Sequence, residues 1–205
     1  MPNLINKSQI KIIEIVFKNP GINLREIIAK TRLSPNYVSD FVNQLVERGI
    51  FKEEKLEKKR VYLRRFYFNF NSSLAMNLFS LVKEEQKEEF FNKYKNLKPV
   101  FGQFINEIKG IDFLLVYGSY SRLAAEKDSD IDILIVGNIK NKDKIREIFV
   151  SLNIDTSIKI ETLKDFKRKI SDPLHQQILK DHIVIYDSGR FINALKKLNV
   201  VNPSE

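Results

Sequence analysis

Residues 114–136 read LLVYGSYSRLAAEKDSDIDILIV. The apolar runs at both ends predict buried strands over 111–117 and 131–136. Between them Gly118 permits a tight turn that a Cβ would obstruct. Ser119 follows at the head of a short helix expected over 120–126, where free N–H groups and a hydroxyl can hold a phosphate. Asp130 and Asp132 lie two apart on the second strand, so their side chains project from one face. With Ile131 and Ile133 buried behind them, the two carboxylates form a ligand set for Mg²⁺. A cation held this way bridges the phosphates of a nucleoside triphosphate, ATP being the expected one, and neutralises charge during in-line transfer. Singly, a Gly-Ser turn is common and Asp-x-Asp also suits a solvent-facing edge. Their ordered combination is far more specific.

Downstream, strand and helix patterns alternate. A helix is expected over 142–152, a strand over 157–162, and short helices over 166–170 and 173–179. A strand over 183–186 and a closing helix from about residue 190 complete a mixed α/β layer. Upstream, residues 72–96 hold neither Gly nor Pro and predict one long helix, capped by Ser72 or Ser73. Such a helix either pairs two copies into a homodimer or packs on its own chain.

The first third reads as three helices and a hairpin. Ser8 is a candidate N-cap for the first helix, which Asn19-Pro20-Gly21 ends. Asn23 and Glu26 form a capping-box pair for the second, and Ser34-Pro35 opens the third. The third helix has an apolar stripe of Val38, Phe41, Val42, Leu45 and Val46, and Gly49 caps its end. Opposite the stripe lie Asn36, Tyr37, Ser39, Asp40, Asn43 and Gln44, short hydrogen-bonding side chains suited to bases and phosphates. Two short strands, 50–53 and 61–66, then flank a basic tip of Lys55, Lys58, Lys59 and Arg60. Residues 1–70 carry 14 basic and 7 acidic side chains, and so most of the chain's net charge of +9. That excess suits a polyanion partner, although a merely soluble basic surface has the same composition.

Residues 5–70 resemble a winged helix-turn-helix domain, on the strength of the three-helix order, the segment LSPNYVSDFVNQLVERGIF and the hairpin. The resemblance implies that the third helix enters the major groove of double-stranded DNA with the hairpin as a wing. Contacts would come from Asn36, Tyr37, Ser39, Asn43, Lys58, Lys59 and Arg60. Residues 98–190 resemble the polymerase-beta-like nucleotidyltransferases, in particular the minimal ones. That resemblance places Gly118 and Ser119 at the triphosphate-binding turn, Arg122 at a frequent basic position, and Asp130 and Asp132 at the metal-binding pair.

Active relatives carry a third carboxylate on the next strand, as base and second-metal ligand. The segment SIKIETL puts Lys159 at that place, with Glu161 two residues on and Asp155 just before the strand as substitutes. A two-residue step along a strand is about 6–7 Å, a large error for metal geometry. Lys159 would instead pair with a bound phosphate, or with Asp130 and Asp132 in a metal-free site. Leu123 stands where many relatives have Gly or a small residue. His175 and His182 lack zinc-protease spacing and read as structural or surface residues. The patch of Lys164, Lys167, Arg168 and Lys169 reads as a solvated helix face, with nucleic acid as the lesser alternative.

The expected architecture is therefore α+β: a winged helix (1–70), a linking or dimerisation helix (71–97), and a nucleotidyltransferase domain (98–205) with a small mixed sheet flanked by helices. The absence of cysteine excludes disulfides, thiol nucleophiles and Cys-ligated zinc. No apolar run approaches the roughly 18–20 residues of a membrane span, and no basic-then-apolar leader opens the chain, so a cytoplasmic protein is expected. Two functions fit. One is a transcriptional regulator that binds nucleotide with or without turnover. The other is a transferase moving AMP from an NTP to a protein or small-molecule acceptor.

Overall fold

The computed structural model of the chain describes residues 5–58, 61–126, 128–140, 143–151 and 155–196. Its first helix, α1 (Lys7–Lys18), opens at Asn6 rather than at Ser8. Asn6 Oδ1 accepts from the Gln9 N–H while Gln9 Oε1 accepts from the Asn6 N–H, a reciprocal pair that Ser8, with Lys11 three residues on, cannot form. A two-residue strand, β1 (Ile22–Asn23), follows. Asn23 and Glu26 cap α2 (Leu24–Thr31) as expected, and Ser34 caps α3 (Pro35–Glu47). Gly49 takes the left-handed conformation (φ 67°) that ends α3.

The hairpin strands are longer than expected, β2 (Phe51–Lys58) against β3 (Val61–Phe68), in the order β1-β3-β2. Lys55 therefore lies within β2, paired with Arg64, and not at the tip. Of the α3 stripe, Val38, Val42 and Leu45 are buried, while Phe41 and Val46 are half-buried. One long helix, α4 (Ser73–Lys93), follows Ser72, whose Oγ accepts from the Ala75 N–H.

The chain divides into two compact units, Met1–Val82 and Lys83–Glu205, and α4 gives half of its length to each. In the first unit the Phe79 ring packs at a tilt against Phe17, at 4.2 Å between centroids, and against Phe68, at 5.1 Å. In the second, Phe90 and Phe91 join a core completed by α5 (Leu97–Glu107). No element is expected from the sequence over 97–107. Pro99 lies in the first turn of α5, where its missing N–H costs nothing.

The second unit continues with β4 (Ile111–Tyr117), a single helical turn α6 (Gly118–Ser121), β5 (Ile131–Gly137), α7 (Asp143–Ser151) and β6 (Thr156–Glu161). It closes with α8 (Leu163–Lys169), α9 (Pro173–Lys180), β7 (His182–Tyr186) and α10 (Ser188–Lys196). The strands form a four-stranded mixed sheet in the order β6-β5-β4-β7, with β5 parallel to β6 and antiparallel to β4. One face of the sheet is apolar: Ile131, Ile133 and Ile135 are buried with Phe101, Phe104 and Phe149. Each such side chain contributes about 1.5–3 kcal/mol by leaving water. The opposite face is buried too at Phe113, Leu115, Leu134 and Val136, and turns polar only at Tyr117, Asp132 and Ser157 toward one end and at Lys159 and Glu161 on β6.

Candidate functional site

Residues paired across neighbouring strands share a face, so the register decides what meets what. Tyr117 pairs with Asp132 on one side, and Ser157 pairs with Asp132 on the other. Lys159 pairs with Leu134 and Glu161 with Val136, on the same face and progressively farther along β6. Asp130 is exposed immediately before β5, and Asp132 is half-buried.

The turn after β4 is cut to fit Asp132. Gly118 has φ +73°, and a Cβ added there would stand 2.1 Å from Asp132 Oδ2. Glycine is required twice over, by the left-handed backbone and by the carboxylate that fills the notch. Ser121 Oγ donates to the Gly118 carbonyl (2.9 Å) and to the Asp181 carbonyl (3.1 Å), which anchors the turn to β7's entrance. The helical turn stops earlier than the expected 120–126 because Leu123 itself is left-handed (φ 56°). Its carbonyl accepts from Lys93 Nζ, and its side chain packs on the core. Ser119 is half-buried and Arg122 exposed.

Electrostatics mark this end of the sheet. Burial, then the neighbouring Asp130 charge, push the Asp132 carboxyl above the usual range, against a Ser157 hydrogen bond and the Arg122 guanidinium. Burial also raises the Tyr117 phenol, followed by the charges of Asp132, Asp130 and Glu161. Among the described residues no group of three or more His, Asp or Glu side chains converges on one point. Asp130 and Asp132 stand as a pair. Asp155, whose carbonyl accepts from the Ile131 N–H, is exposed beside the start of β5.

Glu161 occupies a different environment. Its side chain is 3% exposed; Oε1 faces Lys159 Nζ at 3.1 Å and Lys169 Nζ at 3.3 Å, and Oε2 faces His175 Nε2 at 2.9 Å. Burial alone would raise its carboxyl, but the bonds from His175, Lys159 and Lys169 bring it below the ordinary range. The structure thus does not bring Glu161 to Asp130 and Asp132. His175 and His182 are both buried, the second with Nδ1 at 3.1 Å from the Ile178 carbonyl. The basic patch on α8 is split, since Lys169 turns to Glu161 while Lys164 and Arg168 stay exposed.

In the first unit, Asn36, Tyr37 and Asp40 are exposed on α3, with Ser39 and Asn43 half-buried. Tyr37 Oη donates to Asn6 Oδ1 (3.4 Å), and its ring stacks on Phe41. Arg64 on β3 donates from Nη2 to Asn43 Oδ1 (2.8 Å), pairs with Glu53, and lies over Phe66 at 5.1 Å. This ties α3 to the hairpin and occupies the Asn43 oxygen that bidentate base pairing would use. Arg64 belongs to no local sequence motif; its place opposite Lys55 is a property of strand pairing. Lys59 and Arg60 lie outside the described residues, as does the Lys58 side chain.

A family model described as polymerase beta, nucleotidyltransferase matches residues 96–190, and one described as winged helix-turn-helix DNA-binding matches residues 5–52. The chain joins a winged helix-turn-helix to a nucleotidyltransferase domain. A Methanocaldococcus jannaschii protein named "putative protein adenylyltransferase" is 27% identical over 99 residues, covering 44% of this chain and 99% of that protein.

Within the nucleotidyltransferase domain, the register fixes what stands beside Asp132 on β6. The residue beside Asp132 is Ser157, and Lys159 stands one same-face position farther along β6. Leu123 takes the left-handed conformation that a glycine adopts without strain. Among the described residues no helix is long and apolar enough to cross a membrane.

Proposed function

We propose that the chain is a DNA-binding transcriptional regulator whose nucleotidyltransferase domain holds a nucleoside triphosphate, ATP, with Mg²⁺. The observation that carries this reading is the Asp130–Asp132 pair beside the Gly118 notch, with Ser157, a hydroxyl and not an acid, paired beside Asp132 on β6. Two adjacent carboxylates, one held above its usual range by burial and by the other, are a donor set that a divalent cation relieves. Mg²⁺ characteristically takes one or two carboxylates and completes its octahedron with phosphate and water oxygens, so the pair suffices for one ion. Bound there, it supplies neutralisation of phosphate charge.

The chain's own groups do the rest. The open backbone of Gly118 and Ser119 admits the triphosphate, and Arg122 offers a guanidinium from the exposed side. Ser157 hydrogen-bonds Asp132 and keeps its carboxylate oriented, but at neutral pH its hydroxyl cannot take a proton from an attacking group. Binding therefore outruns turnover. On the winged helix, Asn36 and Tyr37 reach the groove from the first turn of α3, and Ser39 and the basic residues 58–60 contact phosphates.

Incubation with labelled ATP and Mg²⁺ tests the nucleotide site. The expected result is label retained on the folded chain, lost in Asp130→Ala, with no labelled product. Labelled product or self-modification that Asp130→Ala abolishes would overturn the regulator-only reading. It would favour transfer of AMP to a protein acceptor, the activity in the name of the M. jannaschii relative. A mobility shift on the upstream DNA of its own gene, weakened by Asn36→Ala with Tyr37→Ala and by added salt, tests the winged helix.

A further inference from the structure

Lys159, Lys169, Glu161 and His175 form a cluster that the nucleotide site does not use, on the same sheet face. Two ammonium groups share one oxygen of a single buried carboxylate, Lys159 at 3.1 Å and Lys169 at 3.3 Å. The other oxygen is engaged by His175 Nε2 at 2.9 Å. Glu161 is thus spent on holding the cluster together: one carboxylate touches two ammonium groups, while Asp165, itself paired with Arg168, also feels the charge of Lys169. Both lysine side chains are about one-third exposed, at 32% and 35%, so each keeps donors directed to solvent. Two ammonium groups flanking one fixed oxygen are spaced to straddle a second oxyanion on the open side.

The sheet order separates this cluster from the triphosphate turn. Gly118 and Ser119 extend from β4, Asp132 lies on β5, and Lys159 lies on β6, on the far side of β5 from the turn. The Tyr117 phenol, on the same sheet face, feels the charges of Asp132, Asp130 and Glu161 together.

We infer that Lys159 and Lys169, fixed by Glu161, form an oxyanion subsite that takes a phosphate or carboxylate of a second ligand, separate from the nucleotide. The inference rests on the nucleotide-site reading for what lies beside it, but not for its own affinity. In the transferase reading the second ligand is the acceptor, which makes the acceptor anionic. Lys159 on β6 then makes that wall anion-holding rather than proton-accepting.

The test uses the full chain and inorganic phosphate, titrated by calorimetry or ³¹P line-broadening in EDTA. Wild-type chain is expected to bind phosphate without metal. Lys159→Met with Lys169→Met should weaken it by about tenfold or more, the worth of a charge-assisted hydrogen bond. Lys159→Arg should largely restore it, and Lys164→Ala on the exposed side of α8 should leave it unchanged. Phosphate affinity that the double variant keeps would overturn the inference, and so would an absence of binding to the wild type. Single Lys159→Gln, checked for an unchanged melting temperature, guards against a misfolded double variant. Repetition with saturating Mg²⁺ and ATP places the ligand: retained phosphate binding supports a second ligand, and competition overturns that assignment. Asp130→Ala separates the two readings, because it should abolish ATP retention and leave phosphate binding intact.

Discussion

Two acidic groups stand on one face of the same sheet and have opposite fates. Asp132 keeps a neighbour of its own sign, a single hydroxyl partner and a more distant guanidinium. Glu161 is enclosed by two lysines and a histidine. The first arrangement leaves negative charge in want of a cation, and the second satisfies it internally. The lesson is that a buried carboxylate reports function only after its partners are counted: neutralised ones hold the fold, and under-neutralised ones await a ligand.

Glu161→Ala probes this contrast with the largest expected effect. Removing the acid leaves Lys159, Lys169 and buried His175 without their common partner, and should cost about 3 kcal/mol, read as a lower denaturation midpoint. A loss below that of Asp132→Asn would break the comparison. Gly118→Ala comes next, at about 2 kcal/mol, from a methyl group in a left-handed position against the Asp132 carboxylate. It should also lose ATP retention, because the carboxylate must move.

Asp132→Asn is expected to leave stability within about 0.5 kcal/mol of wild type, or slightly above it, while removing Mg²⁺-dependent nucleotide binding. Thermal melts with and without Mg²⁺ and ATP check both halves of that statement. The smallest effect is in the pH dependence of unfolding. The lowered Glu161 carboxyl gives stability that is present above its ordinary value of 4.5 and fades as pH falls through its folded value. The raised Asp132 carboxyl has the reverse sign: its contribution is full below 3.8 and is lost as pH rises through its folded value. Wild type and Glu161→Gln should therefore diverge most above pH 4.5 and converge in acid.

Local chemistry made much of the architecture legible. The Asn23–Glu26 box, Ser34-Pro35, and the strands at 111–117 and 131–137 depend on neighbours in sequence, and each is found where that chemistry places it. Asn6 was equally readable, since Gln9 sits at the capping-box offset, but Ser8 is also a good cap and lies closer to the apolar run. Helix α5 has Pro99 in its first turn, where proline is tolerated, and Gly102 within it, so its local helical signal is weak. The failures at the site are of another kind. That Ser157 faces Asp132, and that Arg64 reaches Asn43, are consequences of strand register, set by the burial of a whole sheet face. Spacing alone does not tell which β6 residue faces Asp132, and Glu161 offers itself as an acid only until its three partners are seen.

The interlock of Gly118 with Asp132 constrains how this lineage can change. A side chain gained at position 118 has room only if position 132 shrinks first, and a smaller residue at 132 forfeits the cation. The two positions must therefore mutate together or stay as they are, and single-step genetic drift meets a barrier on either route.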